Sequence, residues 1–280
     1  MTRHYLTILR PAQWLKNLML FFPLFLAGQL LTADAAQRGM LAFVCFCLVS
    51  SAGYVFNDLL DSKRDALHPQ KSRRPIPSGE IGMVGAIVYA ALLLSGGVGL
   101  VLYLPMSVRF LLLSYVVVSL SYSLFFKSMI LVDVFAIAAG FLIRLHAGGE
   151  VFAVPISPWL FVTVFLLAIF LCTGKRLSEA DFLGGLAGDH RATLSGYPPG
   201  FLAGTMYMTG AAVLVTYTMY VVFRPRLIYT VPLCLFGLLR YIIRVTTGGN
   251  GDPTESLLKD WVLLSVALTW AAMVVWSVYQ

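Results

Sequence analysis

Hydrophobic and polar positions along this chain are segregated into whole segments and do not alternate residue by residue. Apolar runs of about 20 residues, the length a helix needs to cross a bilayer, are separated by short polar stretches. Nine such runs lie near residues 15–31, 39–59, 81–103, 107–125, 129–147, 157–176, 200–223, 226–245 and 258–279. They predict an all-α integral membrane protein with nine transmembrane helices. The connections at 32–38, 104–106, 148–156 and 224–226 are short; those at about 60–80 and 177–199 are long and charged, and 246–257 carries Gly248, Gly249 and Gly251. With nine spans the long connections fall on one side of the membrane. They are expected to carry the chemistry of a single polytopic domain covering residues 1–280.

Composition supports that reading. Of 280 residues, 59% are hydrophobic and 12% charged, and the mean hydropathy is +0.83, which excludes an ordinary water-soluble domain. A transmembrane barrel would show alternation over segments of about 10 residues, and none is seen. The first apolar run begins near Leu18, after Arg3, Arg10, Pro11 and Lys16, and no small-residue cleavage pattern closes it. The first span is therefore expected to be retained. Four cysteines, Cys45, Cys47, Cys172 and Cys234, all lie inside apolar runs and read as packing residues.

Charge sets the orientation. With the N-terminus in the cytoplasm, 14 Lys and Arg fall inside and only Arg38, Arg109, Arg224 and Arg226 outside, with Arg144 and Arg240 left within spans. The positive-inside rule therefore places the C-terminus on the opposite side. That rule is nearly indifferent to Asp and Glu. Yet Asp58, Asp61, Asp65, Asp133, Glu179, Asp181, Asp189, Asp252, Glu255 and Asp260 also gather on or near the cytoplasmic side. Both signs on one face predict a polar site there, and the net charge of +7 needs no nucleic-acid partner to account for it.

The sharpest candidate is the end of the second span, where Asn57, Asp58, Asp61 and Asp65 emerge from an apolar helix. At about 100° per residue the four occupy an arc of roughly 100° on one face. Carboxylates so close together need a cation. An oxygen-only donor set of this kind suits Mg²⁺, which usually keeps several waters and bridges to a diphosphate. The bland alternative is a solvated helix end paired with Lys63 and Arg64. The basic, proline-stiffened loop that follows, His68 to Gly79 with Lys71, Arg73 and Arg74, fits either an anionic ligand or a topological signal.

A second polar element closes the sixth span. Lys175 and Glu179 stand one helical turn apart with Arg176 about 100° away, followed by His190, Arg191 and Tyr197. A cavity wall and a surface ion pair both fit that spacing. Of the intramembrane arginines, Arg240 lies nearer the cytoplasmic end and is the better phosphate candidate; Arg144 favours structural pairing.

The run Asn57-Asp58-x-x-Asp61-x-x-x-Asp65 resembles the first aspartate motif of the UbiA superfamily of intramembrane transferases. The order of further stretches resembles one branch, the decaprenyl-phosphate phosphoribosyltransferases: Pro11-x-Gln13-Trp14-x-Lys16-Asn17, Asp65-x-x-His68-Pro69-x-Lys71-x-x-Arg74, Phe141-x-x-Arg144, Gly174-Lys175-Arg176-x-x-Glu179, Arg191-x-x-Leu194-x-x-Tyr197 and Leu239-Arg240-Tyr241. The resemblance implies nine helices around a central polar cavity open to the cytoplasm, in a bacterial inner membrane. It further implies Mg²⁺-dependent transfer of 5-phosphoribosyl from phosphoribosyl diphosphate to a polyprenyl phosphate, supplying a cell-envelope glycan (arabinan) precursor. Asp58, Asp61, Asp65, Lys175 and Glu179 become the catalytic candidates. Asn57 joins the three aspartates as metal ligand, and Lys16, Asn17, Asn57, Lys71, Arg74, Arg176, Arg191, Tyr197 and Arg240 become candidate substrate contacts. A homo-oligomer, a trimer by resemblance, is implied as well. Where aromatic prenyltransferases carry a second aspartate motif, this chain has Lys175, Arg176 and Glu179, which favours a donor with an extra phosphate over a prenyl diphosphate. A polyprenyl transferase acting on an aromatic acceptor, and a membrane transporter, are the competing readings.

Overall fold

The computed structural model describes residues 2–29, 33–67, 71–184, 192–224 and 226–279. Among them it contains helices and no strands. A short α1 (Thr2–Ile8) leads into a 3₁₀ helix (Pro11–Phe21) and α2 (Phe22–Leu26). Then come α3 (Ala33–Asp65), α4 (Met83–Val101), α5 (Met106–Leu124), α6 (Val132–Phe152) and α7 (Pro158–Leu183). The chain closes with α8 (Ala192–Gly196), α9 (Phe201–Val221), α10 (Val231–Thr246), α11 (Pro253–Lys259) and α12 (Trp261–Val278).

Eight helices among the described residues are long and apolar enough to cross a membrane. They correspond to eight of the nine predicted spans. The exception is the first, 15–31, which is a 3₁₀ helix followed by the single turn and a half of α2. Pro11 and Pro23 lie at the N-termini of these two pieces; proline lacks the N–H that a continuous helix would need at Pro23. Two predicted connections also shrink. Helix α3 runs on to Asp65 and α7 to Leu183, because charges end a hydropathy run without ending the backbone hydrogen bonding that continues beyond the apolar slab.

Successive spans run in opposite directions, so the C-terminal ends of α3, α5, α7 and α10 meet the N-terminal ends of α6, α9 and α12. Ion pairs verify the meeting: Lys127, just beyond α5, reaches Asp61 of α3; Arg176 of α7 reaches Asp133 of α6; Arg240 of α10 reaches Asp260 at the start of α12. The predicted gathering of both signs at one end is thus a property of the fold.

Three of the five apolar clusters among the described residues join the most helices. Leu20, Phe46, Val49, Leu112 and Tyr115 join the 3₁₀ helix, α3 and α5. Leu145, Leu160, Tyr217 and Val274 join α6, α7, α9 and α12. Phe170, Met206, Val213 and Leu238 join α7, α9 and α10. Side chains facing away, such as Val84, Leu92, Leu113 and Leu268, are more than half exposed and form the surface that lipid would cover. Small residues permit close approach where polar elements must meet. A Cβ on Gly174 would lie 2.6 Å from the Tyr241 ring, and one on Gly251 would lie 2.8 Å from the Gly174 carbonyl oxygen. The glycine-bearing connection 248–251 therefore seats directly on α7 beside Lys175. The four cysteines are free; Cys45, Cys47 and Cys172 are buried.

Candidate active site

The aspartate helix end divides its carboxylates into two groups. On an α-helix Asn57 and Asp61 differ by about 40° and Asp58 and Asp65 by about 20°, at opposite edges of the shared arc. At one edge, Lys127 Nζ donates to Asp61 Oδ1 at 2.7 Å and to Asn57 Oδ1 at 3.5 Å. At the other, Arg74 Nη1 donates to Asp58 Oδ1 at 3.1 Å and to Asp65 Oδ2 at 3.0 Å, while Arg10 Nη2 reaches both Asp58 oxygens at 2.5 and 2.7 Å. Lys71 approaches Asp65 at 3.6 Å. Asp58 and Asp65 are buried, and the Asp61 side chain is 19% exposed. The Arg10 guanidinium also lies 5.3 Å from the centre of the Tyr54 ring. Burial lowers the Arg74 pKa, and the nearby Arg10 charge lowers it further against the pull of the two aspartates.

This arrangement departs from the predicted four-donor metal site. Among the described residues no three His, Cys, Asp or Glu side chains converge as a metal site, because Asp58 and Asp65 are turned toward arginines. The donor chemistry still suits a hard cation. Asn57 and Asp61 aim two oxygens at one positive group, and oxygen is what Mg²⁺ takes.

The second polar element is an internal network. Arg176, 2% exposed, donates from Nε to Asp133 Oδ2 at 3.0 Å, from Nη1 to Glu179 Oε2 at 2.8 Å and from Nη2 to the Tyr122 hydroxyl at 3.3 Å. Asp133, fully buried, also accepts from the Tyr197 hydroxyl at 3.0 Å, and that oxygen in turn accepts from Leu131 N–H. Glu179 and Tyr197, predicted as catalytic and substrate-binding, are here joined to Arg176 and Asp133, tying α5, α6 and α7 to the segment after α8. Lys127 and Tyr122 flank the same α5–α6 connection, so that connection links the aspartate helix to the end of α7.

Lys175 points the other way, to Asp252 Oδ2 at 2.7 Å. Asp252 caps α11 by accepting from Thr254 N–H and Glu255 N–H. Lys16, on the 3₁₀ helix, is half-buried and makes no ion pair or hydrogen bond among the described residues. Asn17 is fully buried and accepts from Arg144 Nε at 2.7 Å. Arg240 is paired with Asp260 at 3.0 Å. Arg191 lies outside the described residues, as do His68, Pro69 and Gln70.

Burial works to raise the Asp252 carboxyl, but Lys175 outweighs it, helped by Lys16 and the Glu255 N–H, and holds it at about 2. A carboxylate depressed in the folded state stabilises at neutral pH, and that stabilisation is lost as pH falls from about 4 toward 2. Asp252→Asn is therefore expected to lower the thermal midpoint in detergent at pH 7 by about 2–4 °C per kcal/mol lost. The gap to the unaltered protein should narrow below pH 4, as read by a melting series over pH.

Residue chemistry alone did not single out Arg10, Lys127, Asp133, Tyr122 or Asp252. Lys127 and Asp133 stand six apart across a span boundary in the sequence, and only their shared end of the bundle marks them.

Fold and site together define a multi-pass helical membrane protein whose charged centre sits at one end of the bundle. The sequence matches the model of the UbiA prenyltransferase family over residues 20–263, and the chain belongs to that family. It is 30% identical over 288 residues to the decaprenyl-phosphate phosphoribosyltransferase of Mycolicibacterium smegmatis, covering 96% of this chain and 91% of the relative. It is 31% identical to that of Corynebacterium glutamicum, covering 97% and 85%. Among solved structures, a UbiA homolog from Archaeoglobus fulgidus bound to GPP and Mg²⁺ superposes with a TM-score of 0.74 at 19% identity, over 99% of this chain and all of that one.

Proposed function

We propose that the protein transfers 5-phosphoribosyl from phosphoribosyl diphosphate to a polyprenyl phosphate, releasing diphosphate. The observation that carries this reading is similarity over nearly the whole chain to named decaprenyl-phosphate phosphoribosyltransferases. The geometry supports it. Two cation groups, Lys71, Arg74 and Lys127 at the aspartate helix and Lys16 and Lys175 beyond it, lie at one end of the bundle, and a donor with a diphosphate and a separate 5-phosphate presents two anionic ends to receive them.

In this reading a lipid phosphate oxygen forms a bond to ribose C1 as the C1–oxygen bond to diphosphate breaks, and the electron pair leaves with diphosphate. C1 gains oxocarbenium character, and no covalent enzyme intermediate is needed. The acceptor is already an anion and needs little general-base help. Lys127 and Arg74 neutralise charge on the departing diphosphate; Lys16 and Lys175 orient the second anionic end. Asp58, held by two arginines, and Asp65 fix the positions of those cations. Mg²⁺ bound at Asn57 and Asp61, with Asp58 and Asp65 nearby, would supply further neutralisation of the leaving group. We further propose that the 3₁₀ helix and α2 form the ninth crossing, that the helices surround a cavity open to the cytoplasm, and that the N-terminus lies on the cytoplasmic side of a bacterial inner membrane.

Purified protein in lipid nanodiscs with labelled phosphoribosyl diphosphate, polyprenyl phosphate and Mg²⁺ is expected to yield a labelled lipid that disappears with chelator. No labelled lipid overturns the donor assignment. The alternative is transfer of a prenyl group from its diphosphate, which the likeness in fold to a GPP-bound homolog favours. An aromatic prenylated product in the parallel assay selects it.

A further inference from the structure

At the end of the bundle away from the aspartates, two cations share one cavity. Arg224 and Arg226 follow the C-terminus of α9 and precede a 3₁₀ turn, Leu227–Thr230. Both line a cavity of about 410 Å³. Its apolar walls come from Leu26 at the end of α2, Phe223 just after α9, Leu227 of the turn and Val278 at the end of α12, and no Asp or Glu lines it. Neither arginine makes an ion pair among the described residues.

Aromatic rings hold both guanidinium groups in place. That of Arg224 lies 4.4 Å from the centre of the Tyr220 ring, and its Nη1 donates to the Tyr220 hydroxyl at 2.5 Å and to the Leu26 carbonyl at 3.4 Å. That of Arg226 lies 5.5 Å from the centre of the Trp276 ring on α12. Capping the carbonyl end of α2 accounts for one nitrogen of Arg224. It leaves Nε and Nη2 of Arg224, and the whole fork of Arg226, without an acceptor among the described residues. Arg109, also remote from the aspartates, differs: its Nε and Nη2 donate to the Leu104 and Leu102 carbonyls and close the end of α4.

Stacking on a ring leaves the N–H groups of a guanidinium free, and a planar fork of that kind matches the oxygens of a phosphate. The cavity sits where the spans Phe201–Val221 and Trp261–Val278 end and Leu227–Thr246 begins. Tyr229 and Trp276 are exposed there, as aromatic residues are at a membrane–water boundary. Inorganic phosphate has no use for apolar walls, whereas a phospholipid presents an anionic head and the beginnings of two chains together. We propose that this cavity binds the phosphate headgroup of an anionic membrane lipid, with Arg224 and Arg226 on the phosphate and the upper chains against Leu26, Phe223 and Val278. The site is separate from the charged centre and does not depend on the donor assigned to it.

The test follows the thermal midpoint of the full chain in mixed detergent micelles as phosphatidylglycerol is titrated in, with phosphatidylcholine of the same chains and inorganic phosphate as parallel probes. Phosphatidylglycerol is expected to raise the midpoint saturably, by mass action on a site present only in the folded state, and the other two are not. Arg224→Gln/Arg226→Gln is expected to need about tenfold or more phosphatidylglycerol for half the rise, the scale of losing a charge-assisted hydrogen bond. A merely structural role for the pair lowers the midpoint without lipid and leaves the lipid-dependent rise unchanged, and that result overturns the proposal. So does an unaltered protein that shows no rise specific to phosphatidylglycerol. An equal rise with inorganic phosphate makes the ligand a free anion and overturns the lipid assignment. Should the double variant fail to fold, Arg226→Gln alone, whose arginine holds no hydrogen bond in the protein, is expected to shift half-saturation about fivefold, the scale for one arginine facing an anionic lipid surface; an unchanged half-saturation there counts against the site.

Discussion

Asp61→Ala should reduce phosphoribosyl transfer by about 10²–10³-fold or more, the scale of losing one preorganised electrostatic contact to a developing charge. Of the three motif aspartates at the end of α3, Asp61 is the most accessible, at 19% side-chain exposure against 3% for Asp58 and 6% for Asp65. Its partner is Lys127, which also reaches Asn57. Removing the carboxylate therefore leaves the arginine-held pair Asp58 and Asp65 in place and leaves the fold intact. It takes away a donor on the side that offers oxygens to a cation. The measurement is initial rate against Mg²⁺ concentration, accompanied by a melting curve. An Asp61→Ala protein with ordinary Mg²⁺-dependent turnover would sink the assignment of this helix end to the chemistry. Asp58→Ala is expected to differ in kind, lowering the melting temperature as well as the rate, because it takes the carboxylate from the partly buried Arg10 and leaves Arg74 with Asp65 alone of the two aspartates it bridges.

Arg176→Met should destabilise the protein by about 3–5 kcal/mol, the usual consequence of removing one partner of a buried ion pair. The variant takes the Nε donor away from Asp133, which is fully buried and also accepts from the Tyr197 hydroxyl. Three connections fail together, since Arg176 reaches Asp133, Glu179 and Tyr122. Asp133→Asn in the same chain removes the charge that Arg176 compensates and is expected to recover part of the loss, because the pair acts as a unit. Thermal unfolding in detergent for the two single variants and the double reads this directly. If Arg176→Met melts like the unaltered protein, Arg176 is no structural keystone and its predicted role as a substrate contact regains the field.

The positions of most helices were legible in the sequence because membrane-spanning segments need about 20 apolar residues whatever their neighbours do. Eight of the runs became helices of that kind. The segment 15–31 did not, because the hydropathy of Leu15 to Phe25 is the same whether the backbone winds as 3₁₀ or α. Prolines and side-chain anchors on α3 and α6 decide that. The long charged connections were read too generously for the same reason: hydropathy marks where lipid ends, and α3 and α7 continue past that boundary.

The aspartate motif, the basic loop and Lys175-Arg176-x-x-Glu179 were all visible as residue types at helical spacing. Their partners were not. Asp61 and Lys127 are 66 residues apart, Lys175 and Asp252 77, and Arg144 and Asn17 127. A cation near a carboxylate in the chain, such as Lys63 or Arg64, is no guide to the cation that reaches it in space. The predicted metal cluster illustrates the point. Four oxygen-bearing side chains share one helical arc, as the spacing required, yet neighbouring arginines divide them into two groups.

The sequence by itself determined that this chain lives in a membrane, that its charges crowd one end of the helices, and that one helix carries aspartates in the pattern of the UbiA family. Those are local properties, set by hydropathy, helical period and the order of residues. Which cation faces which carboxylate, and which arginine is held by buried partners, were decided by the tertiary structure alone. A charge taken out of water must find partners within a few ångströms, and only packing brings distant segments that close.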